Sequence, residues 1–154
     1  MPRRERKYTL DSNLYIRAFR DPAANAALRL FHTAFAPFEY LTAIVAQELR
    51  AGAQTAGAAA ALQQHILQPF ESRGRILTPS YSAWKLAGEV LARLAAEDGL
   101  ELARVSKSFA NDVLLAVTCR ENGVVLVTGN ADDFARIRRF ASFEFVAPWP
   151  SPAH

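Results

Sequence analysis

At 154 residues the chain has the length of one domain and enough of it to bury a full core. With 51% apolar and 21% charged residues its composition is that of an ordinary globular protein, and its single cysteine excludes both an internal disulfide and a thiolate metal cluster. A net charge of +3 and a pI near 9.4 suit a polyanionic partner and suit plain solubility equally well, so charge alone decides nothing.

The opening residues Arg3, Arg4, Arg6 and Lys7 are basic, but no long apolar stretch follows them. Neither a signal peptide nor a membrane anchor is expected, and the protein is expected to be cytoplasmic. Residues 8–10 read as a short strand. Asp21 and Pro22 mark a helix start, an N-cap followed by proline at the first helical position, and residues 23–35 continue it. Residues 39–44 read as a second strand, running into a short helix around Glu48 that stops near Gly52. Residues 53–70 are alanine-rich and helical, and Gly57 does not outweigh that pattern. Residues 75–77 form a third strand. Ser80 or Ser82 can cap the next helix, in which Trp84, Ala87, Leu91 and Leu94 recur at helical spacing, with Gly99 just past its end. Residues 111–120 are helical and apolar on most sides, the pattern of a buried helix, and Asn122 and Gly123 end it. Residues 124–127 are a continuous apolar run, as a parallel strand covered on both faces requires. Residues 131–139 read as a helix, 143–146 as a short last strand, and 148–154 as an extended Pro-rich tail. Cys119 reads as a small buried apolar residue, and His32, His65 and His154 share no motif.

Strands alternating with helices give an α/β domain with a mainly parallel sheet, and in such sheets sites lie outside the carboxyl ends of the strands. Acidic residues stand where the apolar runs end. Asp11 closes the first strand, Glu48 lies just beyond the second, Asp112 opens the buried helix, and Asp132 and Asp133 follow the 124–127 run. Burying an unpaired carboxylate costs several kcal/mol, and no basic residue stands beside these acids in their windows. A hard divalent cation, Mg²⁺ or Mn²⁺, is the simplest compensation for an all-carboxylate set. Each acid also has a plainer reading taken singly. Asp11 could cap a turn, Glu48 could be a solvated helix residue beside Arg50, and Asp112 or the Asp132–Asp133 pair could favour a helix dipole from the first turn. Four such acids in this order are harder to explain that way.

Four segments carry a resemblance to a known family. They are Leu10-Asp11-Ser12-Asn13, Val45-Ala46-Gln47-Glu48-Leu49-Arg50-Ala51-Gly52, Asn111-Asp112-Val113-Leu114-Leu115-Ala116, and Thr128-Gly129-Asn130-Ala131-Asp132-Asp133-Phe134. In this order and spacing, over nearly the whole chain, they resemble a PIN domain, and more narrowly the ribonuclease toxins of the VapC type. The resemblance implies a PIN-like α/β fold, with a central mainly parallel sheet of about five strands flanked by helices. It further implies carboxylates around one or two Mg²⁺ or Mn²⁺ ions, RNA as substrate, a homodimer, and a cognate antitoxin protein as partner.

Carried over by position, Asp11, Glu48 and Asp112 match the first three acids of the family. The fourth stays open between Asn130, as a neutral ligand or water holder, and Asp132 or Asp133 as the remaining charge. Ser12, Asn13, Thr128 and Asn130 are expected to support the carboxylates, and Arg17, Lys107 and Arg136 to meet RNA phosphates, although basic residues on a helix face are also commonly just solvated. Two other readings stand beside the toxin. One is a PIN-like nuclease of RNA processing or DNA metabolism, and the other a catalytically silent α/β domain that binds nucleic acid or protein.

Overall fold

A computed structural model of the chain describes residues 6–151. Arg3 and Arg4 and the last three positions of the Pro-rich tail lie outside the described residues. The strands are β1 (Lys7–Leu10), β2 (Glu39–Thr42), β3 (Ile76–Leu77), β4 (Val124–Val127) and β5 (Phe145–Val146), in the sheet order β3-β2-β1-β4-β5. Every pairing is parallel. A parallel neighbour can be reached only by a crossover, and each crossover here is helical. The helices are α1 (Ser12–Arg20) and α2 (Pro22–Phe35), α3 (Ala43–Gly52), α4 (Ala56–Leu62) and α5 (Gln68–Ser72), α6 (Tyr81–Asp98) and α7 (Lys107–Asn122), and α8 (Ala131–Arg138). None is long and apolar enough to cross a membrane.

Helices on the sheet bury it. All four residues of β4 are buried, as their continuous apolar run required, and Leu10, Leu41 and Leu126 have no exposure at all. Tyr8 of β1 meets Phe31 and Phe35 of α2 edge-on, and Trp149 of the tail folds back onto Phe31 at 5.2 Å between ring centroids. The tail is therefore irregular, yet part of it is packed on the core.

Several boundaries differ from the sequence expectation, each for a local reason. Residues 12–20, given no element above, form α1. Asp11 caps it, and Leu14, Tyr15 and Ala18 supply its buried stripe. Strand β2 stops at Thr42, because the Thr42 hydroxyl accepts the Val45 N–H at 3.2 Å and starts α3 two residues before β-branched Ile44 and Val45 would suggest. The alanine-rich helix begins only at Ala56, behind its cap Thr55, and runs through a π-type segment, Gln63–Leu67, into α5. Helix α7 begins four residues earlier than expected, at Lys107, because Ser106 caps it by accepting the Phe109 N–H at 3.0 Å. Asp112 consequently sits in the second turn, beyond the reach of the helix-start reading. Strand β5 is only two residues long, although Phe143 before it is buried.

Thr9, in the central strand, has no exposure, and its hydroxyl has no hydrogen-bond partner among the described residues. Replacing both the orphan group and its desolvation cost with a methyl of the same shape should stabilise the fold by about 1 kcal/mol. We expect Thr9→Val to melt about 2–4 °C higher than the parent protein. A lower melting temperature in calorimetry would show that the hydroxyl has a partner in solution.

Candidate functional site

The parallel register brings the chain's polar turns to one edge. Leu10 is level with Val127, and the Asp11 N–H continues that ladder to the Val127 carbonyl at 3.0 Å. Asp11 thus leaves the central strand beside Thr128. One of its carboxylate oxygens accepts the Ser12 N–H and the other the Thr128 hydroxyl, both at 2.8 Å. Asp11 caps a helix where the plainer reading expected a turn, and it is also tied to the end of a strand 117 residues away. Thr128 has its own anchor, because its hydroxyl oxygen accepts the Asn130 N–H at 3.0 Å.

The other acids arrive on helices. Asp112 is 6% exposed although a carboxylate, and Asp11 is 4% exposed. Asp133, in the first turn of α8, accepts the Asn130 side-chain amide at 3.0 Å, and Asp112 accepts the same amide at a long 3.5 Å. Its neighbour Asp132 is exposed. Glu48, half-buried on α3, has the Ser12 hydroxyl and the Asn111 amide as neighbours. Arg50, the basic residue beside it in the sequence, is engaged with Glu71 and Gln63 instead.

Crowding shows in the proton equilibria. Burial, then the charges of Asp11, Glu48 and Asp133, push the Asp112 carboxyl up to about 8. Burial and then Asp11 raise Glu48, against the opposing hydrogen bonds of Ser12 and Asn111. Burial raises Asp11, while Thr128 and the Ser12 N–H pull it back. Among the described residues no ion pair includes any of these four acids. Their partners are neutral donors, so among the described residues no basic side chain cancels the negative charge that the set carries.

That donor set suits a hard cation, since the ligand atoms the four acids offer are all carboxylate oxygens. Among the described residues no three His, Cys, Asp or Glu side chains converge as a ready-made cage. Mg²⁺ does not need one, because it keeps several waters and binds through one or two carboxylates. Two cavities elsewhere, of about 620 and 240 Å³, include none of these acids.

The remaining expected residues scatter. Ser12 is buried at the edge, and Asn13 has a buried side-chain oxygen with no partner among the described residues. Arg17 and Lys107 are exposed at the end of α1 and the start of α7. Arg136 is committed within the protein, 3.5 Å from Asp98 and over the Phe109 ring. Asn111 received no role from sequence, and its one signal was its place directly before Asp112, polar at the mouth of an apolar helix.

Three solved structures share this architecture. FitAcB from Neisseria gonorrhoeae is 22% identical with a TM-score of 0.68, over 94% of this chain and 99% of that one. DNA-bound VapBC from Salmonella typhimurium is 22% identical with a TM-score of 0.68, over 93% and 98% of the two chains. VapBC2 from Rickettsia felis, bound to a fragment of promoter DNA, is 24% identical with a TM-score of 0.61, over 93% and 98%. At these identities the likeness is one of fold. No curated protein matches the chain in sequence. The PIN domain family model matches residues 8–140, a span that runs from β1 through α8 and takes in all four acids, so the chain belongs to the PIN domain family.

Proposed function

We propose that the protein is a metal-dependent endoribonuclease that cuts single-stranded RNA and serves as the toxin of a toxin–antitoxin pair. The observation that carries this reading is the uncancelled set of Asp11, Glu48, Asp112 and Asp133 at the sheet edge of a PIN domain. The toxin role is supported by likeness in fold to a toxin–antitoxin complex from Klebsiella pneumoniae.

Asp11 and Asp112 are the most buried of the acids, and they would hold Mg²⁺ or Mn²⁺ directly. Glu48 and Asp133, less buried, would act through waters that they orient by hydrogen bonds. A divalent cation, when bound, supplies Lewis acidity toward a phosphate and lowers the pKa of a coordinated water. Thr128, Ser12 and the Asn111 and Asn130 amides keep the carboxylates aimed while leaving their charge intact. Any of the four acids could take the proton of the attacking water. Arg17 and Lys107, exposed and without an ion pair among the described residues, would hold phosphates, and unpaired loops offer the sugar–phosphate chain most openly. A homodimer, a cognate antitoxin and a cytoplasmic location complete the proposal.

Incubation of the purified protein with a labelled single-stranded RNA tests it. Cleavage in millimolar Mg²⁺ or Mn²⁺ that stops on chelation is the expected result. RNA left intact under both conditions would sink the nuclease reading.

A further inference from the structure

Asn130 departs from the habits of its position. It is the residue before α8, where an asparagine side-chain oxygen ordinarily accepts an N–H of the first turn, yet it makes no such cap bond. Asp133, three residues on, is placed to reach back to the Asn130 N–H in a capping box, yet that N–H goes to the Thr128 hydroxyl instead. Both side chains are turned from the helix toward the acids. The Asn130 amide nitrogen stands within 3.5 Å of Asp112 and 3.0 Å of Asp133. In both contacts the amide nitrogen donates and a carboxylate oxygen accepts, so the NH₂ end of the amide faces the acids. A donor between two carboxylates does what a bridging cation does, at lower charge and without needing one.

We infer that Asn130 is a positioning residue whose amide pairs Asp112 with Asp133 in the place of a second cation, so that the site takes one divalent ion per chain. The inference rests on the metal-dependent reading proposed above, and adds the number of ions and the residue that sets it. An acid at position 130 would remove the donor and add a charge, opening the bridging place to a second ion.

Titration with Mn²⁺, read by the loss of the free-ion electron paramagnetic resonance signal, measures stoichiometry without any assay of cleavage. We expect one Mn²⁺ per chain in the parent protein and two in Asn130→Asp, with far-ultraviolet circular dichroism unchanged. Two ions in the parent protein would overturn the inference and leave the nuclease proposal standing. One ion in both proteins would likewise overturn it, because residue 130 would not set the count. No bound Mn²⁺ in the parent protein would overturn both. Asn130→Ser, which loses the amide without adding charge, should keep one ion and bind it at least fivefold more weakly, because Asp112 and Asp133 would no longer be held together.

Discussion

Asp112→Asn should fold, bind RNA, and fail to cut it. The side chain is carried by the second turn of α7, among Val113, Leu114, Leu115 and Ala116, all of them buried, so a rigid element sets its position. Asparagine has nearly the same shape and no charge. The packing therefore survives while the charge that draws a cation is lost. We expect the cleavage rate in Mg²⁺ to fall on the order of 10³-fold, the scale of losing one fixed electrostatic group in an active site. RNA affinity should change little, because phosphate contacts rest on Lys and Arg. The metal-free variant should also melt no lower than the parent protein, since a repelled carboxylate has been removed. A variant that cuts at the parental rate would reduce Asp112 to a buried polar residue without a chemical part.

The second large effect is on stability against pH in the absence of metal. An unfolded aspartate releases its proton near 3.8, whereas the folded Asp112 holds its proton up to about 8. Between those values the native state binds more protons than the unfolded chain, so stability is fullest at the acid end and is lost as pH rises toward 8. The raised carboxyls of Asp11 and Glu48 act in the same direction. Taking about 2 kcal/mol for the span from pH 5.5 to 8, the melting temperature in chelator should drop by roughly 4–8 °C. Mn²⁺ at about 100 times its dissociation constant should return about 2.7 kcal/mol at the alkaline end, and less at pH 5.5, where protons compete for the same oxygens. Asp112→Asn should flatten both trends. A metal-free protein that melts higher at pH 8 than at pH 5.5 would mean that these carboxylates are not crowded in solution.

The parallel sheet was legible because β4 spells its own burial and because Asp11, Glu48 and Asp133 follow apolar runs. The acids were legible for the same reason, since charge at the end of a core segment is conspicuous in one dimension. Helix α1 was not, as its buried stripe of Leu14, Tyr15 and Ala18 is short and interrupted by Arg17 and Asn13. The start of α7 was hidden too. Its cap Ser106 precedes Lys107 and Ser108, polar residues that read as a loop until the Ser106–Phe109 bond is seen. Least legible were the neutral partners, because the bonds from Thr128 to Asp11 and from Asn130 to Asp112 join residues that only the folded sheet makes neighbours. Arg136 shows the converse, a basic residue whose charge looked available and is spent on Asp98.

The sheet order has a consequence for the order of synthesis. β1 is made first and lies in the middle of the sheet, with one flank paired to β2 and the other waiting for β4. Until α7 has been translated the nascent chain carries two of its four acids, and until β4 follows Asp11 has no Thr128 and the edge that gathers the charge does not exist. A product ending short of Asp112 lacks two of the four acids, and the loop after Gly99 divides the acids of the chain into two pairs. The carboxylate set thus comes into being all at once, when β4 and α8 take their places beside the strand that began the sheet.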